Sequence, residues 1–312
     1  MEAATARLRR RPSKRGEYGR SERRLAAKML APSLIVIAAV AAYPIGYAIW
    51  LSLTEYSLRT PGLWRFAGFD NYTEALSSSE FWDALVTTFV FSGISVGLEL
   101  VIGIGMALCM HEAFKGRGLL RTVVLVPWAI LTVVTAITWR TIFEPGLGLV
   151  PVMLDKLGLP GADTVWLGQE PNALAVMIFA DVWKTAPFIA LLLLAGLQVI
   201  PDEIYDAAKV DGANAWQRFV RVTLPLLVPA ILVALIFRTL DALRIFDLPF
   251  VLTQGANGTT TLSLLAQQEL TANRLIGLGS ALSVLTFVIV MAVAFIYIRA
   301  VGGNLRALAE DT

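Results

Sequence analysis

IPDEIYDAAKVDGANAWQRFVRVTLP, residues 200–225, lies between two long apolar runs, and its reading decides how the chain is built. Pro201 ends the preceding helix, because its ring has no N–H and clashes one turn back. Asp202 reads as an N-cap, and Glu203 and Asp206 put acids in the first turns, where the helix dipole favours them. Ile204, Ala207 and Ala208 recur at helical spacing. Gly212 falls where this first short helix must stop and turn, a place for a residue that tolerates positive φ. Ala215, Trp216, Phe219 and Val222 form the apolar set of a second helix, which Leu224-Pro225 leads into the next apolar run. Two short amphipathic helices at right angles would leave apolar faces uncovered, and docking onto a soluble partner would cover them. A merely interfacial hairpin is the alternative.

The flanking runs explain the rest of the chain. Of 312 residues, 56% are hydrophobic and 16% charged, against about 45–50% and about 25% in soluble domains. Mean hydropathy is +0.67, which excludes a water-soluble enzyme. One cysteine and one histidine cannot supply a disulfide framework or a Cys/His zinc site. A bilayer-spanning helix needs about 20 apolar residues. Such stretches predict six spans, at about 30–53, 84–110, 121–141, 172–198, 224–247 and 275–299. They divide the chain into a basic tail (1–29), a membrane domain (30–302) and a short tail (303–312).

The basic residues set the orientation. Of 26 Lys and Arg, 18 fall in the N-terminal tail, the 109–121 and 199–224 connections and the segment after 298; only four fall in 54–82, 143–171 and 248–274. By the positive-inside rule both termini are expected in the cytoplasm. Arg9-Arg10-Arg11 and Arg23-Arg24 also raise nucleic acid, anionic lipid or a twin-arginine signal. The apolar segment that follows is too long for a signal peptide and lacks a cleavage site. The tail therefore reads as topogenic and in contact with membrane lipid, with no nucleic-acid partner.

Asp206-Ala207-Ala208, Gly212 and Val222-x-Leu224-Pro225 resemble the EAA loop of bacterial ABC importer permeases, EAA-x3-G-x9-I-x-LP, with Asp for Glu at 206 and Val for Ile at 222. Tyr43-Pro44, Ser52-Leu53, Gly68-x2-Asn71-Tyr72 and Leu252-Thr253-Gln254-Gly255 resemble the carbohydrate-importer branch, similar to maltose and glycerol-phosphate permeases. Asp181-Val182-Trp183-Lys184-Thr185-x-Pro187-Phe188 and the segment Phe237–Asp247 look closest to trehalose-type importers of actinobacteria. The resemblance implies an all-α membrane protein, a type I importer bundle of six transmembrane helices with cytoplasmic coupling helices. It implies a second homologous permease, two ATPase subunits and an extracytoplasmic sugar-binding protein as partners, and a bacterial cytoplasmic membrane as the location. It assigns ATPase coupling to Glu203, Asp206, Ala207, Ala208, Gly212, Trp216, Leu224 and Pro225. The chain has no Gly-x4-Gly-Lys-Ser/Thr phosphate loop, so no enzymatic activity and no directly bound cofactor are expected; ATP and Mg would be used by the partner ATPases. The implied cargo is trehalose or a related disaccharide, with maltodextrin or glycerol phosphate as alternatives.

Ionisable side chains at membrane depth are costly and point to function. Arg238, Asp241, Arg244 and Asp247 follow at three-residue steps, where neighbours can pair along a helix. On a straight helix the first and last would face opposite ways, and Pro249 and Gly255 predict termination around 248–255. Asp241 and Arg244 are expected to face the substrate path, hydrogen-bonding vicinal sugar hydroxyls, with Phe246 stacking on a pyranose face. Arg238, Asp247, Trp183 and Lys184 are further path candidates; the alternative for all of them is structural ion pairing or bundle packing. Glu99, in a stretch rich in small residues (Gly93, Gly97, Gly103, Gly105), reads as a buried partner for an arginine at a close helix contact. An ion-coupled secondary transporter would not need the docking loop, and a membrane-embedded transferase would need clustered acids or histidines at one interface.

Overall fold

A computed structural model describes residues 15–60, 62, 64–112 and 115–310, with side chains from residue 25 to residue 299. The Arg9-Arg10-Arg11 and Arg23-Arg24 side chains, and with them the lipid reading of the tail, lie outside the described residues. The chain separates between Trp50 and Leu51 into two compact units.

The first unit is carried by helix α1 (Arg15–Ser52), which contains Pro32 and Pro44. Its segment Leu25–Ser52 is long and apolar enough to cross a membrane.

The second unit opens with a short antiparallel pair, β1 (Thr54–Tyr56) and β2 (Trp64–Phe66), followed by helix α2 (Asp70–Ser77). Asn71, buried on α2, donates from Nδ2 to the carbonyls of Ser52 and Thr54, both at 2.9 Å. The Tyr72 hydroxyl shares a 2.6 Å hydrogen bond with Ser52. The Ser52 and Asn71-Tyr72 signatures therefore staple one segment, satisfying carbonyls that burial would otherwise leave unpaired.

Helix α3 (Ser79–His111) begins at Ser78, whose side chain accepts from the Phe81 N–H at 3.3 Å. It packs against α7 (Asn172–Leu197) along much of its length. The approach is close at Gly103, where a Cβ would lie 2.7 Å from Ile189 Cγ2. The contact does not extend along the expected small-residue stripe: Gly93, Gly97 and Gly105 have open space where a Cβ would stand.

The single third span expected over 121–141 is two helices, α4 (Arg117–Ala129) and α5 (Thr132–Ile142), bent by 89°. Ile130 and Leu131 are both extended (ψ 137° each), and no helix continues through two such residues. Helix α6 (Leu149–Lys156) follows.

Beyond α7 come α8 (Asp202–Val210), α9 (Ala215–Arg218), a π-helical turn over Phe219–Thr223 and α10 (Leu224–Ala242). The second docking helix and the fifth span are continuous over Ala215–Ala242. The helix ends at Ala242 instead of reaching 247, and a short helix α11 (Asp247–Leu252) starts after four non-helical residues. Helices α12 (Leu262–Thr271) and α13 (Ile276–Glu310) complete the fold. α13 takes in 303–310, which the sequence reading set apart as a tail.

Among the described residues, five helices are long and apolar enough to cross a membrane, six if the bent pair counts as one span. Apolar packing in the second unit falls into separate clusters. One joins α3, α7 and α10 through Ala107, Met110, Ile189, Leu193, Leu197 and Leu227. Another joins α3, α7 and α11 through Phe91, Val96, Met177, Val182 and Leu248. In chain order on α3 and α10, the charged residues fall between these clusters.

Candidate functional site: a docking loop and an interior ion cluster

The docking loop is built by local hydrogen bonds. Pro201 is the N-cap residue of α8, and Asp202 stands in the first turn beside Glu203. The cap expected at Asp202 is thus one residue off: Pro201 is already extended (ψ 140°), so the chain enters the helix there and Asp202 acts through the helix dipole. Asp206 pairs with Lys209 at 2.9 Å on the exposed face. The helix closes where the Gly212 N–H reaches the Lys209 carbonyl at 3.0 Å and the Ala213 N–H that of Ala208 at 2.9 Å. Gly212 has φ +80°, a conformation costing other L-residues about 1–2 kcal/mol. Asn214 and Gln217 then form a reciprocal capping box, 2.9 Å in both directions. The Thr223 hydroxyl meets the Tyr205 hydroxyl at 3.3 Å, tying the second helix back to the first.

On this frame Val210 and Trp216 are 88% and 70% exposed. Glu203, Asp206, Ala207, Gly212 and Pro225 are exposed, Ala208 and Leu224 half-buried. Trp216 leans on Phe219, with ring centroids 5.6 Å apart. Large apolar side chains thus stand beside small and acidic ones on a two-helix projection.

The interior charges converge on Arg238. Its side chain is 2% exposed and Glu99 is fully buried. Arg238 Nε and Nη2 donate to both oxygens of Glu99, at 2.5 and 2.9 Å. Nη2 also donates to Asp181, and Nη1 reaches Asp241 at 3.1 Å. Thr185 completes the set, its hydroxyl lying 2.5 Å from Glu99 Oε1 and 2.6 Å from the Asp181 carbonyl, either of which can accept its single proton. Three spans, α3, α7 and α10, meet at one guanidinium, whose planar fork suits several carboxylates at once. Burial at membrane depth requires such pairing.

The remaining path candidates are spread around this cluster. The Asp241 side chain is 69% exposed, held on one side by Arg238. Arg244, exposed in the gap between α10 and α11, donates from Nε back to the Leu240 carbonyl at 3.0 Å. Asp247 is exposed in the first turn of α11. Arg244 and Phe246 line a cavity of about 580 Å³ with Ser263 and Gln267 of α12 and Ser283 and Thr286 of α13. Phe246 stacks on Phe250, centroids 5.3 Å apart. Trp183 lines a different, mainly apolar cavity of about 650 Å³ with Leu98, Phe179 and Pro187, and packs edge-on against Trp139 at 5.6 Å. Lys184 is half-buried, and Asp181, three residues before it, faces Arg238; among the described residues Lys184 makes no ion pair within 4 Å.

Burial therefore sets Arg238 apart from Arg244 and Asp247, although it still reaches Asp241, and Trp183 is apart from Arg244 and Phe246 because they line different cavities. The arginine that Glu99 was expected to partner is Arg238. Thr185 was missed, although it lies one helical turn after Asp181. Ser263, Gln267, Ser283 and Thr286 were missed because nothing in their spacing separates them from ordinary helix-packing hydroxyls and amides.

Residues 99–306 match the family described as binding-protein-dependent transport system inner membrane component. The trehalose transport system permease protein SugA of Mycobacterium tuberculosis is 46% identical over 282 residues, 90% of each chain. The trehalose/maltose transport system permease protein MalF of Thermococcus litoralis is 43% identical, over 89% of this chain and 94% of its own. Among solved structures, a chain of a bacterial alginate ABC transporter, in complex with an alginate pentasaccharide-bound periplasmic protein, superposes with a TM-score of 0.74 at 25% identity, covering 89% of this chain and 93% of that one. With a family match over most of its membrane helices and relatives similar almost end to end, this chain belongs to the inner membrane components of binding-protein-dependent transport systems.

Proposed function

We propose that this multi-pass membrane protein is one of two permease subunits of an ABC importer that brings a disaccharide of the trehalose type into the cell. The observation that carries the reading is the 46% identity, over 90% of both chains, to a trehalose permease. The second relative bears a trehalose/maltose name, and trehalose and maltose are both disaccharides of α-linked glucose. An extracytoplasmic binding protein delivers the sugar, and two cytoplasmic ATPase subunits hydrolyse ATP with Mg. Both termini lie in the cytoplasm.

The docking loop is the coupling element. Exposed Trp216 and Val210 enter a groove on the ATPase; Glu203, Asp206, Ala207 and Ala208 lie along α8, and Gly212 sets the angle between the two helices. Leu224 and Pro225 join this element to α10. Closure of the ATPase dimer displaces the docking helices and, through α10, the bundle, in a rigid-body switch between outward and inward access. Asp241 and Arg244 meet the sugar hydroxyls at the break between α10 and α11, and Phe246 offers an apolar ring face. Asp247, Trp183 and Lys184 flank the path, whereas Arg238 serves it from inside the bundle. The test is uptake of radiolabelled trehalose by cells with and without this chain. Loss of uptake on deletion and its return on complementation are expected; unchanged uptake overturns the substrate.

A further inference from the structure

We propose that Arg238 is a positioning residue for the substrate-facing carboxylate of Asp241, held in place by Glu99, Asp181 and Thr185. The inference rests on the functional reading above and adds to it four residues that do not touch sugar.

The geometry is unequal around the guanidinium. Two carboxylates on other helices, Glu99 on α3 and Asp181 on α7, take Nε and Nη2 at side-chain exposures of 0% and 6%. Nη1 is left for Asp241, at 3.1 Å and with 69% of that side chain exposed. The buried contacts fix where Arg238 stands, and the exposed contact is the one free to exchange with a ligand. Two buried carboxyl groups already share the guanidinium, so Arg238 holds Asp241 less strongly than an isolated pair would. A sugar hydroxyl can then compete for the Asp241 oxygens without breaking the interior.

The backbone adds a consequence. Arg238 and Asp241 stand on the last turn of a helix that runs unbroken from the docking loop, Ala215–Ala242, about 40 Å at 1.5 Å per residue. Its irregular part, the π turn and Pro225 and Pro229, lies between residues 219 and 229, before the turn that bears Asp241. The turn bearing Asp241 therefore belongs to the regular second half of α10, while Glu99 holds Arg238 from α3 and Asp181 holds it from α7, the helix that enters the docking loop from its other end. Asp241 is presented to sugar only in arrangements where the three spans close on Arg238.

The experiment uses the whole importer, purified through this chain, reconstituted in proteoliposomes with its binding protein, and supplied with labelled trehalose and ATP. The readout is trehalose moved per ATP hydrolysed, because a merely structural defect lowers both in proportion. Arg238→Lys keeps the charge but loses the fork, and Thr185→Val loosens Glu99 without changing any charge, so at least one variant should assemble. Each is expected to lower the ratio, Arg238→Lys by about tenfold, and neither should lower it further when Asp241 is already Asn. Proportional loss of transport and hydrolysis, or effects that multiply in full with Asp241→Asn, overturns the proposal. A wild-type importer that hydrolyses ATP but moves no trehalose overturns the functional reading instead.

Discussion

Arg238 is buried among carboxylates in a chain that has few charges to place there. Removing one member of such a set leaves its partners charged and dry, at a cost of about 3–5 kcal/mol, whereas replacing the whole set by apolar residues of similar volume is often close to neutral. Arg238→Met alone should therefore lower the unfolding midpoint of the detergent-solubilised importer sharply. The combined Arg238→Met, Glu99→Leu and Asp181→Leu variant should recover much of that stability. Transport should not return with it, because Asp241 then has no guanidinium beside it. Thermal unfolding followed by trehalose uptake separates the two quantities. A combined variant that recovers both would mean that the cluster is packing and nothing more. Gly103 makes a simpler residue-scale case: its missing Cβ is what lets α3 approach Ile189 to within 2.7 Å of the position that atom would take. Any larger side chain there must push α3 and α7 apart.

Between residue and bundle stands the two-helix docking element, whose shape hangs on one backbone conformation. At Gly212 a Cβ would meet nothing within 4 Å, so alanine is opposed by φ +80° and not by crowding. Gly212→Ala should cost about 1–2 kcal/mol and leave partial uptake. Gly212→Pro, whose ring holds φ near −65°, should abolish uptake while the binding protein still takes up sugar. Equal uptake in the two variants would remove Gly212 from the coupling role. This element was also the most legible in the sequence, because its helices are short, amphipathic and bounded by Pro201 and Gly212, so local chemistry determines them. The interior was less legible. The break at Ile130-Leu131 and the end of α10 at Ala242 have no glycine at the point of interruption, and the prolines nearby, Pro127 and Pro249, stand three and seven residues away. Likewise the three-residue spacing of Arg238, Asp241, Arg244 and Asp247 suggested pairing along one helix. It could not show that Glu99, 139 residues earlier, would take most of the guanidinium. Contacts between helices distant in sequence leave no periodic trace in either partner.

Across the whole molecule the same scarcity of charge sets direction. Eighteen of 26 basic residues lie in segments assigned to one side and four in segments assigned to the other, an excess from which the docking loop, with Lys209, Arg218 and Arg221, is expected in the cytoplasm. On that orientation the opposite side would carry β1, β2, α6 and the 253–261 turn. The chain's single cysteine, Cys109, makes this side assignment accessible to measurement. In a Cys109→Ser background, Asp211→Cys in the docking loop and Asp163→Cys before α7 both place a thiol at an exposed position. In intact cells stripped of their outer barriers, a membrane-impermeant maleimide should label the residue-163 thiol at once and the residue-211 thiol only after permeabilisation. The two sites are separated by a single crossing, α7, so the pair reports that crossing directly and does not depend on how the bent α4–α5 segment sits. The reverse pattern would put the docking loop outside, where no ATP is available to drive it, and would remove the physical basis for coupling through α8 and α9. Labelling of both without permeabilisation would mean that α7 does not cross, and the ion cluster at Asp181 would then lose the low-dielectric setting that makes its pairing obligatory.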